Sequence, residues 1–522
     1  MRRGRGVAAV VVSGMMLAAA AACSSNDRSS DTAADDSSGG DSGAGQLAPA
    51  TTIPSPPPAG EPGDRGAPVF EDYGVNPTVD TAEDNLSTFA LDVDTGAYAV
   101  TRNHLNEGFL PDAAAVRTEE FVNYFPQDYE APEDGIGVHV DGTSVPFLDD
   151  ASRRVVRVGL QAAVVADEDR PPAVLTFVID TSGSMGDAGK MEVVREALGR
   201  LVDSLGPDDQ VGIVTYSNEA EVRLEPTPVE DDGAIRDVIG GLRPLDSTNA
   251  EAGLRLGYEQ AVEHRRDDGI NRVILLSDGV ANVGQTDPAT LAAEIQEAAD
   301  DGIQLVTVGV GMGTYNDVLM EQLADDGDGF YAYVDTLRKA ERLFVNDLTG
   351  TLQVVGREAK VQVAFDPEAV VSYRLLGFEN RQVEDDQFRD DAVDGGEVGA
   401  GHSVTALYEI ELPEGGDVAG DTPLLTADVR WIDPDTDQPD ERSATLTAED
   451  LAESFDQAPV RLRQDILVAA FAETLRDAPW SDQVSLRNVA DNAAALASNE
   501  DLSDDIVTEF VALTATAADL AG

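Results

Sequence analysis

Apolar residues change their spacing twice along this chain. In the middle they form unbroken runs at residues 174–179, 211–216, 273–277 and 305–310, the pattern of parallel strands buried on both faces. Between and after these runs, residues 192–204, 250–265, 289–299 and 337–348 read as helices. This alternation predicts an α/β domain over residues 171–350 with a doubly wound, mostly parallel sheet. Such sheets present functional groups at the carboxyl ends of their strands, and the first run ends in Asp180.

On either side the period drops to two. Val138 and Val140, then Val156, Val158 and Leu160, precede the α/β segment. Val361, Val363 and Phe365, then Val404, Ala406, Tyr408 and Ile410, then Leu425, Ala427, Val429 and Trp431, follow it. Alternation of this kind marks half-buried antiparallel strands, here within residues 84–170 and 351–450. The expected arrangement pairs both sets into a β-sandwich-like domain in which the α/β domain is inserted or which flanks it; two separate small β domains are the alternative. Over 451–522, Leu467, Phe471 and Leu475, and later Ile506, Phe510 and Leu513, fall at helical spacings and predict a small helical domain.

The start of the chain follows another logic. Arg2, Arg3 and Arg5 precede an apolar stretch over 7–22 that ends in small residues, the pattern of a secretory signal over residues 1–22. From 24 to 68 the chain is mostly Ser, Asp, Gly, Ala and Pro. Such a stretch cannot bury enough surface to offset its ordering entropy, so residues 23–83 are expected to form a linker.

Composition narrows the partners. A length of 522 residues with 42% hydrophobic content is enough for several packed domains. The formal net charge of −64, from 99 acidic against 35 basic residues, effectively excludes nucleic acid as a partner. With a single cysteine, Cys23, no internal disulfide can form. No apolar run after the signal is long enough to span a membrane.

The candidate chemistry lies after the first buried run, in Asp180-Thr-Ser182-Gly-Ser184-Met185. One carboxylate and two hydroxyls suit a small hard cation that takes oxygen ligands and retains waters. These residues resemble the metal-ion-dependent adhesion site of the von Willebrand factor type A fold. The resemblance implies a Thr from a second loop and an Asp from a third, and Thr248 and Asp278 stand in those places. By resemblance Ser182, Ser184 and Thr248 hold Mg²⁺ (or Mn²⁺ or Ca²⁺) directly, Asp180 and Asp278 act largely through water, and a carboxylate from a protein or glycan ligand completes the shell. Asp246 and Ser247 stand where relatives often carry Gly, which leaves Ser247 as an alternative to Thr248. Taken singly, each of these residues is also an ordinary helix cap or turn former.

Cys23 directly follows small residues and resembles the acylated cysteine of a bacterial lipobox. Together with residues 86–98 and 117–125, which read as strand, helix and second short helix, the chain resembles bacterial envelope lipoproteins with a central von Willebrand factor type A domain, an N-terminal flanking domain and a C-terminal domain of unknown function. That resemblance implies a protein lipid-anchored to the cell membrane on its extracytoplasmic face, binding a partner through the metal. The alternative is a structural envelope protein whose metal only knits loops together.

Enzyme readings fit less well. Asp92-Val-Asp94-Thr95 has the wrong spacing for a haloacid-dehalogenase-type phosphatase, and as a Ca²⁺ loop it places Asn103 where a Glu belongs; capping of the following helix by Asp94 is the expected role. Gly309, Gly311 and Gly313 lack the dinucleotide fingerprint. For a serine hydrolase there is no nucleophile elbow at Ser182 or Ser184, and His104, His139, His264 and His402 stand far from both in sequence. The expectation is a binding protein and not an enzyme. The acidic stretch 384–397 is expected to be a solvated loop.

Overall fold

A computed structural model describes residues 70–522 except 71, 92–94, 146, 149–151, 166–169, 246–247, 280–287, 312–316, 335, 338–339, 341–342, 345–353, 392, 394, 414–417, 435, 499–501 and 503–504. The expected signal, Cys23 and most of the expected linker lie outside the described residues, as do Asp94 and most of the expected helix at 337–348.

In chain order the elements are β1 (Val79–Asp80), β2 (Leu86–Ala90), α1 (Gly96–Asn106), α2 (Thr118–Asn123), β3 (Ile136–Thr143), β4 (Arg153–Ala162), β5 (Ala173–Asp180), α3 (Lys190–Ser204), β6 (Gln210–Tyr216), β7 (Ala220–Pro228), α4 (Asp232–Gly241), α5 (Ala250–Glu263), β8 (Ile270–Ser277), α6 (Pro288–Asp300), β9 (Ile303–Val310), α7 (Asp317–Asp325) and β10 (Tyr331–Val334). There follow β11 (Val354–Phe365), β12 (Ser372–Leu376), β13 (Gly396–Gly399), β14 (Ser403–Glu411), β15 (Pro423–Asp433), β16 (Gln438–Thr447), β17 (Leu451–Ala452), α8 (Val460–Leu475), α9 (Leu486–Leu496) and α10 (Asp505–Ala521).

The central sheet has the order β10-β9-β8-β5-β6-β7. All pairings are parallel except β6 with β7. Every residue of β5 is buried, and the alternate sides of the strand serve different cores. Phe177 and Ile179 pack with Met191, Val194 and Leu198 of α3 and Ile235 of α4. Val178 packs on the other face with Leu254 and Tyr258 of α5 and Leu291 of α6. Helices on both faces explain why β5 reads as a continuous apolar run. The edge strand β7 escapes that pattern because Glu221, Arg223 and Glu225 are interleaved with Val222 and Leu224, a composition that blunts an open sheet edge.

Strands before and after the α/β segment are direct neighbours. β4 runs antiparallel to β14, from Arg153 opposite Glu411 to Gln161 opposite Ser403, and β2 runs antiparallel to β11. One sheet has the order β1-β12-β14-β4-β3-β17; in the other, β13-β11-β15-β16 with β2 also on β11. A single apolar core draws on both sheets, including Phe89, Val158, Val361, Phe365, Tyr408 and Trp431. The chain thus leaves this pair of sheets to form the α/β segment and then returns to it.

The C-terminal helices do not close on one another alone. Phe471 of α8 and Phe510 of α10 share a core with Tyr98 of α1 and Phe121 of α2, and the Phe125 and Phe510 rings meet edge-on at 5.5 Å. The helices from both ends of the described chain therefore make one layer, where the sequence predicts a separate C-terminal unit. Buried ion pairs fix this layer to the first sheet. Arg157 of β4 reaches Asp465 of α8 at 2.9 Å, and Arg374 of β12 reaches Glu473 of α8 at 2.8 Å. At the start of α1, Thr95 makes no side-chain cap. Glu120 of α2 supplies the acceptor there, taking the Ala97 amide hydrogen at 2.7 Å.

Candidate functional site

The site forms where β5 and β8, adjacent and parallel, reach their carboxyl ends. β5 ends in Asp180 and β8 in Ser277, with Asp278 next in the chain. After Asp180 the backbone turns through Ser182 into a 3₁₀ stretch, Gly183–Gly189, and Gly189 enters α3 in the left-handed region at φ 78°. This short connection folds both serine hydroxyls back over the strand ends.

The polar groups there form one continuous set. Asp180 accepts the Ser182 amide hydrogen on Oδ1 at 2.7 Å and the Ser277 hydroxyl hydrogen on Oδ2 at 2.9 Å. Ser182 Oγ lies 3.0 Å from Ser184 Oγ, and Ser184 Oγ donates to Asp278 Oδ1 at 2.8 Å. The second Asp278 oxygen accepts from Lys190 Nζ at 2.9 Å. Four of the five expected ligands, Asp180, Ser182, Ser184 and Asp278, are thereby brought together from two loops.

The fifth, Thr248, is half-buried in the loop before α5. That loop runs against the serine turn: the Leu245 amide donates to the Thr181 carbonyl, and a Cβ on Gly183 would lie 3.3 Å from the Leu245 carbonyl oxygen. Ser247 and Asp246 are outside the described residues. Asn249 caps α5 by accepting the Ala252 amide hydrogen at 3.2 Å.

Burial controls the electrostatics. Asp180 is fully buried, and this pushes its carboxyl up to about 6 despite the hydrogen bonds from Ser182 and Ser277; nearby Asp278 adds to the rise. Tyr216, opposite Asp180 on β6, is also fully buried, and burial followed by the Asp180 charge pushes its phenol well up. Among the described residues its hydroxyl makes no hydrogen bond of normal geometry, but it lies close enough to Asp180 and Ser277 for both side chains to act on it. The ring fits because α5 carries Gly253, where a Cβ would lie 2.5 Å from the ring.

This donor set fits a small hard cation. The Ser182 and Ser184 hydroxyls and the Asp278 carboxylate form one hydrogen-bonded chain, which Asp180 joins through the Ser182 amide, and all the candidate ligand atoms are oxygens. Among the described residues no group of three or more His, Cys, Asp or Glu forms a metal site. His104, His139 and His264 bond to the carbonyls of Val100, Glu130 and Gln260. The acidic stretch 384–397 is pinned more than expected: Arg430 pairs with Asp391 at 2.5 Å, and Thr88 donates to Asp385 at 2.6 Å.

Lys190, Ser277 and Tyr216 are site residues that the sequence reading missed. The signal for Lys190 was available, since the chain contains only three lysines and this one opens a helix, where the macrodipole disfavours a cation. Ser277 and Tyr216 carry no such mark, because their role depends on which strands are neighbours.

Comparison with known proteins gives consistent matches. A family model described as the von Willebrand factor type A domain matches residues 175–346. One described as von Willebrand factor matches 65–157, and one described as the C-terminal part of the uncharacterized protein YfbK matches 350–520. The uncharacterized protein YfbK of Escherichia coli K12 is 32% identical over 441 residues, covering 80% of this chain and 76% of its own. Inter-alpha-trypsin inhibitor heavy chain H4 of Homo sapiens is 31% identical over 166 residues, 30% of this chain and 18% of that one. Among solved structures, a von Willebrand factor type A protein from Catenulispora acidiphila aligns over 73% of this chain and 90% of its own with a TM-score of 0.42 at 17% identity.

Proposed function

The chain belongs to the YfbK family, built around a von Willebrand factor type A domain, and we propose that it is a membrane-anchored, extracytoplasmic adaptor that recognises a partner through a divalent metal. The observation that carries this reading is the linked set Asp180, Ser182, Ser184 and Asp278 at the carboxyl ends of two adjacent strands. The domain family supports an interaction or adhesion role. Anchoring through Cys23 rests on the basic and apolar start of the chain and on the small residues before the cysteine.

In this reading Ser182, Ser184 and Thr248 hold Mg²⁺ directly, and Asp180 and Asp278 hold its waters. The ion supplies an electrophilic position for an Asp or Glu side chain, or an acidic sugar, of the partner. The protein's own part is to present neutral oxygens next to the ligand. Asp180 accepts from the Ser182 amide and the Ser277 hydroxyl, which fix the orientation of its carboxylate. Both partners can be acidic, because repulsion between exposed charges is screened beyond about 10 Å at moderate salt.

The test is a capture experiment from solubilised envelope with Mg²⁺, with chelator, and with Asp180→Ala. A partner retained only by the intact protein with Mg²⁺ is the expected result. Equal capture under all three conditions would refute recognition through the metal. The second reading, a metal that only knits the loops, is favoured by the complete burial of Asp180. Its mark is a large Mg²⁺-dependent rise in melting temperature with no Mg²⁺-dependent partner.

A further inference from the structure

Lys190 stands where a cation is electrostatically out of place. It is the first residue of α3, and the amino end of a helix carries partial positive charge. It is nevertheless buried, 5% exposed, with Nζ 2.9 Å from Asp278 Oδ2. Its stem is fitted to Gly311 at the end of β9, where a Cβ would lie 2.5 Å from Lys190 Cγ and 2.7 Å from Cε. Gly311 is further held in the left-handed region at φ 77°, which a side chain would resist. The absence of a side chain at Gly311 thus leaves room for the Lys190 stem, which ends on a carboxylate of the candidate metal site.

We propose that Lys190 sets the charge of the metal site so that a divalent ion and an acidic ligand bind as a coupled pair. The inference rests on the metal-dependent reading given above and adds a reason for carboxylate selectivity. Asp180 and Asp278 with the Lys190 ammonium leave the site at a net charge of minus one. A divalent ion takes it to plus one, and one external carboxylate then makes it neutral. If Lys190 were neutral, the ion alone would balance the two carboxylates, and nothing in the local charge would call for an acidic ligand. Like-charge repulsion from Lys190 also weakens the ion held without its ligand. These interactions gain strength where water is excluded. Coupling of this kind is reciprocal: the ligand tightens the ion by the factor by which the ion tightens the ligand.

The experiment measures Mn²⁺ affinity of the full chain by calorimetry, with acetate as the carboxylate probe and acetamide as its uncharged control. In the wild type, acetate is expected to tighten Mn²⁺ severalfold and acetamide to leave it unchanged. Lys190→Met is expected to bind Mn²⁺ about tenfold more tightly without acetate and to lose the acetate response. Lys190→Gln keeps a donor for Asp278 without the charge and is expected to behave like Lys190→Met, whereas Lys190→Arg keeps the charge and is expected to retain the acetate response. Equal Mn²⁺ affinity and equal acetate response in wild type and both neutral variants would overturn the inference while leaving the metal site standing. Failure of both neutral variants to fold would assign Lys190 to packing alone and would also overturn it. Absence of Mn²⁺ binding by the wild type and every variant would instead overturn the metal reading itself.

Discussion

Ser184 donates its hydroxyl hydrogen to Oδ1 of Asp278 at 2.8 Å, across 94 residues of chain. The bond joins the loop after β5 to the loop after β8, and both residues are expected metal ligands. It is a single partly buried hydrogen bond to a carboxylate, worth about 1.5–3 kcal/mol net. Ser184→Ala is therefore expected to change metal-free stability by about that amount while removing most of the Mg²⁺-induced rise in melting temperature. Thermal melts of metal-free and Mg²⁺-saturated protein check this. An undiminished Mg²⁺ effect in the variant would remove Ser184 from the ligand set.

The raised carboxyl of Asp180 gives a pH dependence of definite sign. Its folded value of about 6 lies above the usual value for an unfolded Asp, about 4. The folded state therefore binds more protons than the unfolded state between those values. The resulting stabilisation is complete below about pH 4 and is lost as pH rises through about 6. The Asp180 contribution to metal-free stability should fall over this window, and Mg²⁺ should act only where Asp180 is ionised. The melting-temperature gap between Mg²⁺-bound and metal-free protein is expected to open above about pH 6 and to close toward pH 4. A gap of constant size across this range would contradict the assignment.

Arg374 and Glu473 are both nearly inaccessible, at 2% and 1% side-chain exposure. Glu473 also accepts from Thr118, and Arg374 reaches Glu409, which accepts from the Trp480 indole. Removing Glu473 leaves Arg374 with Glu409 alone and Thr118 without its acceptor, so Glu473→Ala is expected to cost about 2–3 kcal/mol in urea unfolding. The exposed Arg200–Glu196 pair on α3, at 41% and 54% exposure, serves as the control, and Glu196→Ala should cost less than about 1 kcal/mol. Similar costs for the two variants would show that the α8 pair does not hold the helical layer to the sheet.

Gly253→Ala sets two effects against each other. Alanine favours a helix interior over glycine by about 1 kcal/mol, but a Cβ here would sit 2.5 Å from the Tyr216 ring. Overpacking of this kind costs about 1–3 kcal/mol, and the ring is held under Asp180 by β6 and α5. Net destabilisation with a weaker response to Mg²⁺ is the expected outcome of denaturation with and without the ion. Tyr216→Phe removes a buried hydroxyl that makes no hydrogen bond of normal geometry among the described residues but lies beside Asp180 and Ser277, and is expected to change metal-free stability by less than about 1 kcal/mol. A Gly253→Ala protein more stable than wild type would show that the ring moves aside freely.

Local chemistry makes much of this architecture legible in the sequence. Continuous apolar runs located β5, β6, β8 and β9, because strands covered on both faces have no polar side to betray their period. Asp180, Ser182 and Ser184 could be read together because they lie within five residues, and helix positions such as α3 and α5 followed from spacing. These features depend on neighbours in the chain, so the sequence by itself determined them. Tertiary structure alone decided the rest. The Lys190–Asp278 pair, the placing of Tyr216 opposite Asp180, the pairing of β4 with β14 and the closure of α8 and α10 on α1 and α2 all join residues far apart in sequence. A side chain's pattern shows that it will be buried, but the partner that meets it is set by the way the sheets and helices pack.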